Sequence, residues 1–333
     1  MEFWKSTVEG MEVRKVLIFG ASGFIGSNVT HFFLRKGEEV HVCLKNHTNA
    51  WRINDIVNNL NVQIGDLSSK NDIESVLFSV KPDIVINCTG VVAGFDMQDQ
   101  QDVIQKNFVN TVNLTNACVN SKADQLINTG SAYECGFSYD PVLTNKCQNS
   151  PIGLYGITKK AEREYIDMIA KKFEKKYFTL RLFTPFGPFD SPIRLIPYIL
   201  ISLINNNIPN IQNPLSGRDF IYIKDVSNIF YRLAKNPEII ENQSVLNVGT
   251  GKNTKVIDIV EILFKIAGTE YKQHSDYQNS SIEYLYANKQ EADKFLSKIH
   301  IKPTPLDEAL KQTYNWFVKN KNFYTSNMNM DLR

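Results

Sequence analysis

The sequence predicts an α/β fold: a doubly wound parallel sheet, followed by a smaller and mostly helical C-terminal domain. Three observations predict it. Short β-branched runs alternate with helix-length segments through the first half of the chain. Alternation of that kind needs a parallel sheet with helices on both faces, because every crossover must carry the chain back to the same end of the sheet. A glycine-spaced turn, "GASGFIG" (20–26), joins the first run to the first helical segment. Beyond residue 185 the alternation stops, and Pro- and Gly-rich chain gives way to mostly helical pattern.

The elements follow in order. "KVLIF" (15–19) is the first strand, and "IGSNVTHFFLRKG" (25–37) a helix that stops at Gly37. "EVHVCL" (39–44), "NVQI" (61–64), "DIVINC" (83–88) and "DQLINT" (124–129) continue the sheet. Segments 98–121 and 155–176 have helical length, and "YFTLRLF" (177–183) is a sixth strand. "TPFGPFDSPIRLIP" (184–197) reads as an irregular connector. Strand-like runs recur at "DFIYI" (219–223) and "VLNVG" (245–249), and "DEALKQTYNWFVK" (307–319) is helical. The resulting plan is a leader over 1–12, then a first domain over 13–185 with 219–250 returning to it. A second domain covers 186–218 and 251–320, and a polar tail over 321–333 is expected to fray.

Of 333 residues, 43% are hydrophobic and 22% charged, with a formal net charge of +2. This is an ordinary globular balance, without the electrostatic footprint of a nucleic-acid or membrane-surface binder. The longest apolar runs, such as "LIPYILISLI" (195–204), are too short to span a bilayer. The first dozen residues lack the basic start and apolar core of a secretory signal, and Met11 offers an alternative start. Cys43, Cys88, Cys118, Cys135 and Cys147 form no CxxC pair, so we expect reduced thiols in a cytoplasmic protein. No Cys/His spacing supports a metal site.

Gly20, Gly23 and Gly26 are spaced GxxGxxG between the first strand and the first helix. Glycines there let the backbone turn tightly and approach a pyrophosphate, whose charge meets the helix N-terminus. Ser22, Phe24 and Ile25 complete this Rossmann-type cofactor loop. NAD-preferring sites usually place an acid at the end of the second strand, for the ribose 2′-hydroxyl. Here the strand runs into Leu44, Lys45 and Asn46, with no acid before Asp55. Lys45, with Arg52, suits a 2′-phosphate, so NADP(H) is favoured and NAD is the alternative. Asp66, in "IGDLS", is placed either to meet an adenine edge or to cap a helix.

Tyr155 and Lys159 stand four apart in a helical segment, hence on one face. A phenol has a reference pKa of about 10, and a neighbouring ammonium favours its ionised form. Such a pair can serve as general acid or base. Ser131, in "NTGSAYECG" after the fifth strand, lies 24 residues before Tyr155, at the end of a strand where catalytic groups gather. Thr129 is the alternative hydroxyl there, and a purely structural turn is the other reading.

The ordered set of these motifs resembles the extended short-chain dehydrogenase/reductase family, in its nucleotide-sugar epimerase, dehydratase and 4-ketoreductase group. The resemblance runs from about residue 14 to about 318. It is carried by "GASGFIG" (20–26), "GDL" (65–67), "DIVINCTG" (83–90), "NFVNTVNL" (107–114), "TGSAYECG" (129–136), "YGITK" (155–159), "LRLFTPFGP" (180–188) and "RDFIYIKDV" (218–226). It implies Ser131, Tyr155 and Lys159 as the catalytic triad, with Lys159 also on the nicotinamide ribose. It implies that Leu67, Cys88, Thr89, Gly90 and Asn107 line the cofactor. Asn87, Cys88 and Thr89 replace the family's usual His-Leu-Ala run. Arg218 matches the arginine on the substrate diphosphate, and Arg194 a frequent nucleotide contact. Two subunits often pair in this family through the helices matching 98–121 and 155–176, so a homodimer is expected.

The departures narrow the reaction. Thr184 stands where the family has a substrate-contacting asparagine, and the usual C-terminal arginine is absent from 277–288. Sugar 4,6-dehydratases carry Asp-Glu after the serine position; here the pair is Ala132-Tyr133, which argues against dehydration. Glu134 falls one position late and is read as structural. The expectation is an NADPH-dependent 4-ketoreductase of a nucleotide-linked 4-keto-6-deoxyhexose, with Tyr155 as general acid. The alternative is an NAD-dependent 4-epimerase of a nucleotide hexose. A non-catalytic dinucleotide-binding protein is the distant alternative.

Overall fold

The computed structural model describes residues 13–46, 48–91, 100–136, 142–147, 151–240, 244–271 and 283–327. The expected leader (1–12) and the end of the tail (328–333) lie outside the described residues. In chain order the elements are β1 (Lys15–Phe19), α1 (Phe24–Arg35), β2 (Glu39–Leu44), β3 (Asn61–Ile64), α2 (Lys70–Val80), β4 (Ile84–Asn87), α3 (Gln100–Val103), a π-helical stretch (Ile104–Val109), α4 (Asn110–Val119) and β5 (Gln125–Ser131). Then come a 3-10 turn (Ala132–Glu134), β6 (Val142–Leu143), α5 (Gly153–Phe173), β7 (Lys176–Leu182), β8 (Thr184–Phe186), α6 (Leu195–Ile204), β9 (Gly217–Arg218), β10 (Phe220–Tyr222) and α7 (Ile223–Lys235). The last are β11 (Val245–Val248), β12 (Thr254–Lys255), α8 (Val256–Ala267), β13 (Tyr284–Ala287), α9 (Lys289–Lys298), α10 (Leu306–Lys319) and α11 (Lys321–Asn327).

Two compact units result. The first draws on 1–136, 148–182 and 227–247, the second on 137–147, 183–226 and 248–333. The chain thus re-enters the first unit at Ser227 and leaves it after Asn247.

The first unit is built on a seven-stranded sheet of order β11-β7-β5-β4-β1-β2-β3. β1 pairs in parallel with both β2 and β4, so the strand order reverses around it. Ligands of open α/β sheets bind at such a reversal, outside the carboxyl ends of the strands. Register makes that edge even: Phe19 lies opposite Cys43 and Asn87, and Asn87 opposite Asn128. Gly20, Lys45 and Cys88 therefore follow neighbouring strand ends, beside Thr129 near the end of β5. The strands read as unbroken apolar runs because both faces are covered. Leu17, Val85 and Leu126 are buried on one face against Val76, Leu114 and Ile166. Full burial of each such side chain is worth about 1.5–3 kcal/mol.

Helix ends follow local chemistry. Ser69 caps α2, its Oγ accepting from the Asp72 N–H. α1 ends at Arg35 with Lys36 as its cap, and Gly37 follows at φ +81° as the expected stop. The helix expected over 98–121 is α3, the π-helical stretch and α4 in succession.

The second unit contains two small sheets. β8 and β10 pair in parallel, and β12-β9-β13-β6 form the other. The connector expected to be irregular over 184–197 thus contains a strand. Pro185 is tolerated in it because a two-stranded ladder is all edge. The fraying expected after 320 is also corrected. α11 continues the chain, and Tyr324 is buried, stacked 4.7 Å from Phe317 with its hydroxyl donating to the Asp190 carbonyl at 2.9 Å. Polar composition concealed one aromatic anchor.

Cys43, Cys88 and Cys118 are free, but Cys135 and Cys147 are disulfide-bonded, which corrects the expectation of five reduced thiols. Their spacing in sequence carries no signature of pairing. Among the described residues, no helix is long and apolar enough to cross a membrane.

Candidate active site

In the first unit, the turn after β1 is open because side chains cannot fill it. A Cβ on Gly20 would lie 2.6 Å from the Cys88 carbonyl, and one on Gly26 would collide with the Gly20 carbonyl oxygen. Gly20 also takes φ +81°, a conformation that glycine reaches without strain. Gly23 caps α1 with no side chain on the helix's first N–H groups. Those donors, at the positive end of the helix dipole, are left for an anion. Ser22 lends this loop its carbonyl, and Phe24 and Ile25 begin the helix, half-buried. The cradle fits a dinucleotide pyrophosphate.

Arg52 and Lys45 separate in role. Arg52 is buried, its guanidinium 4.4 Å from the Trp51 ring centre, and Nη1 donates to the Ser22 carbonyl at 3.4 Å. A cation thus sits against the glycine loop. Lys45 is half-exposed and pairs with Asp66 Oδ1 at 3.0 Å. Burial pushes the Asp66 carboxyl up, but the Ser68 N–H and Lys45 outweigh it and hold the group below the usual carboxylate range. Asp66 does not cap α2; Ser69 does. Leu67 is buried, its carbonyl accepting from Asn113.

Past β4, Asn87 Oδ1 accepts from the Thr89 N–H and hydroxyl at 3.2 and 2.6 Å. Gly90 takes φ +143°, and a Cβ there would lie 3.0 Å from Lys159 Nζ and 3.3 Å from Asn107 Oδ1. Asn107 belongs to the π-helical stretch and exchanges hydrogen bonds with Val91 at 2.8 and 3.1 Å. Single π turns often mark functional positions. Burial pushes the Cys88 thiol up to about 11, which disfavours its thiolate.

Ser131 ends β5. Its N–H donates to Glu134 Oε1 at 2.9 Å, and its Oγ accepts from the Tyr133 N–H at 3.2 Å, a reciprocal cap on the 3-10 turn. α5 starts against this turn. The Ile152 N–H donates to the Tyr133 carbonyl at 2.9 Å, and Gly156 has no room for a Cβ beside that carbonyl. Tyr155 consequently meets Tyr133 edge to face at 6.1 Å, and both Ser131 and Tyr155 stay half-buried. Lys159 is buried one turn further on. Its Nζ donates to the Thr129 carbonyl at 3.1 Å, the Thr89 carbonyl at 3.3 Å and Glu162 Oε2 at 3.0 Å.

Two carboxylates enlarge the constellation. Glu162, which the sequence reading passed over, is fully buried three residues after Lys159. The i,i+3 spacing was the available signal. Glu134 was read as structural, and the contacts say how: Oε2 accepts from Arg163 at 3.1 Å and Arg181 at 3.3 Å, while Oε1 holds Ser131. Arg181 also donates to Asn247 at 2.9 Å.

In the second unit, Thr184, Arg194 and Arg218 line one cavity of about 300 Å³ with Gln212, Asn213 and Ser216. Asp219 follows Arg218 in the chain. It is buried and accepts from the Thr250 N–H and hydroxyl and the Gly251 and Ala287 N–H groups at 2.7–3.2 Å. Arg194 is largely exposed, 3.7 Å from Asp190. Arg218 is engaged: it donates to Glu283 Oε2 at 2.9 Å and to the Glu283 and Gly217 carbonyls at 3.0 Å. An anion must compete with that carboxylate. Glu283→Ala is therefore expected to tighten pyrophosphate binding at this arginine about tenfold in calorimetric titration, the value of one charged hydrogen bond. Weaker binding would mean that Glu283 instead orders the guanidinium.

A parallel sheet that reverses at β1, followed by a glycine cradle, is the Rossmann-type dinucleotide-binding arrangement. The model of the NAD dependent epimerase/dehydratase family matches residues 16–249, more than half of the chain. The chain belongs to that family, and it is an enzyme of the short-chain dehydrogenase/reductase type. It is 26% identical to a UDP-glucose 4-epimerase from Erwinia amylovora, over 92% of this chain and 98% of that protein. Its fold is shared with a UDP-glucuronic acid 4-epimerase from Bacillus cereus solved with NAD, at 22% identity and a TM-score of 0.77, covering 92% of this chain and 99% of that one. A dTDP-glucose 4,6-dehydratase from Bacillus anthracis, also with NAD, superposes at a TM-score of 0.79 and 17% identity, covering 94% and 99%.

Proposed function

We propose that this enzyme is an NADPH-dependent 4-ketoreductase acting on a nucleotide-linked 4-keto-6-deoxyhexose. The observation that carries the cofactor choice is the buried Arg52 against the Ser22 carbonyl, at a β2 end that offers no acid for a ribose 2′-hydroxyl. Arginine binds phosphate through paired, charge-assisted hydrogen bonds. When bound, the nicotinamide supplies the reducing equivalent at the sugar carbon. The chain's own residues do the rest. Tyr155 gives its phenol proton to the carbonyl oxygen as that carbon is reduced. Ser131 hydrogen-bonds the same oxygen, and Lys159 holds the ribose and favours the phenolate left behind. Arg218, Arg194 and Thr184 take the nucleoside diphosphate in the second unit's cavity. Ala132 and Tyr133, without a carboxylate, leave no acid and base for removing water at the neighbouring carbons.

A second reading is an NAD-dependent 4-epimerase, which the curated 4-epimerase relative favours. A homodimer belongs to either reading; Ile104, Ile157 and Met168 are exposed apolar residues of the π-helical stretch and α5, suited to pairing those helices.

Adding a nucleotide-linked 4-keto-6-deoxy sugar should consume NADPH stoichiometrically, read as loss of nicotinamide absorbance. Arg52→Ala should raise the KM for NADPH about 10–100-fold and leave that for NADH within a few-fold. Protein that purifies with tightly held NAD⁺ and interconverts nucleotide hexoses without net absorbance change is the epimerase instead.

A further inference from the structure

Glu162 is an unusual neighbour for a lysine that must carry charge in a site. Its side chain has no exposed surface, and that of Lys159 has 3%. Oε2 takes one of the three Nζ protons, and the Thr89 and Thr129 carbonyls take the others. Oε1 has no hydrogen-bond partner, and burial, opposed by Lys159 and Asn128, pushes the carboxyl up to about 7, so it is ionised in the alkaline range. A carboxylate so placed is costly to bury, so its presence beside the ammonium has an electrostatic consequence.

We propose that Glu162 is a positioning residue that keeps Lys159 charged and aimed, and so sets the alkaline limit of proton transfer by Tyr155. The proposal rests on the reading of Tyr155 and Lys159 as the proton-transfer pair. Burial is the strongest influence on Lys159 and disfavours its charge; Glu162 is the strongest opposing one, and the ammonium ends above the usual lysine range. The other groups facing the pair are Tyr155 on the same helix, Glu134 after β5 and Cys88 after β4. Glu134 is itself taken up by Arg163 and Arg181. No other carboxylate among the described residues is hydrogen-bonded to Nζ. Remove the Glu162 charge and burial acts on Lys159 with no near counter-ion, so the proton leaves at lower pH.

The test is Glu162→Gln, which keeps shape and an acceptor oxygen but not charge, beside Glu162→Asp, which keeps the charge and retracts it. Lysine side-chain ¹³C NMR of the full chain, assigned with Lys159→Ala, reads the Lys159 titration directly. In Glu162→Gln it should fall by about 1–3 pH units, the usual effect of one close opposite charge. In Glu162→Asp it should fall less, and this variant decides alone if the first does not fold. The alkaline limb of NADPH-dependent turnover should move down in parallel. A Lys159 titration unchanged in both variants overturns the proposal, even where turnover drops. A shifted titration in a protein that reduces no nucleotide sugar upholds it and removes the ketoreductase reading instead.

Discussion

Replacing Tyr155 with Phe is expected to lower turnover about 10²–10⁴-fold, the range for losing a positioned general acid. The loss should fall on kcat. Phe keeps the ring that meets Tyr133 edge to face, so the start of α5 stays seated on the 3-10 turn. Lys159 is anchored by Thr89, Thr129 and Glu162, none of which involves the phenol oxygen. Cofactor binding, read by quenching of intrinsic fluorescence, should therefore survive within a few-fold. The outcome separates chemistry from scaffolding: a general acid lost from an intact site lowers kcat and spares binding. Turnover within tenfold of the native enzyme would remove Tyr155 from the proton-transfer role. It would leave the half-buried Ser131 hydroxyl as the remaining candidate on this turn.

What could be read in the sequence was local. β1 is legible because a strand buried on both faces must be apolar throughout, as Val16, Leu17, Ile18 and Phe19 are. Tyr155 and Lys159 are legible because helix period alone puts them on one face. Glu134 was not legible as a cation partner. Arg181 lies 47 residues away from it, and Asn247 a further 66 beyond Arg181. Nothing at short range marks Arg181 as the neighbour of Glu134, or Asn247 as that of Arg181. The sheet makes the meeting, since β5 and β7 pair through Ser131 and Leu182. Glu283 was illegible for the same reason, 65 residues from Arg218, where sequence showed only that an arginine was missing. The disulfide at Cys135 and Cys147 and the Tyr324 anchor likewise depend on tertiary position, against which spacing and composition both misled.

Glu134→Gln is expected to destabilise the protein by about 3–5 kcal/mol, the usual cost of removing one partner from a buried ion pair. The Glu134 side chain is 1% exposed, with Arg181 at 2% and Arg163 at 17%. Burial already presses the Arg181 guanidinium below the usual arginine range, and Glu134 is the first charge opposing it. Glutamine can still offer an amide oxygen to the Ser131 N–H, so the turn should survive in outline. What it cannot offer is the charge that compensates a guanidinium held out of water. Arginine does not shed its proton to escape, so the penalty falls on folding itself. Urea unfolding should show the midpoint falling by roughly 1–2 M at an unchanged slope. The double variant with Arg181→Met decides between charge and packing. If the uncompensated cation is the cause, removing it restores a large part of the loss, because apolar replacement of a whole buried pair is often neutral. If Glu134 acts instead by bracing Ser131, the second substitution adds to the first, and turnover falls further than stability does. A single-variant loss under 1 kcal/mol would mean that water reaches this cluster, and that the turn bearing Ser131 is held by its own cap.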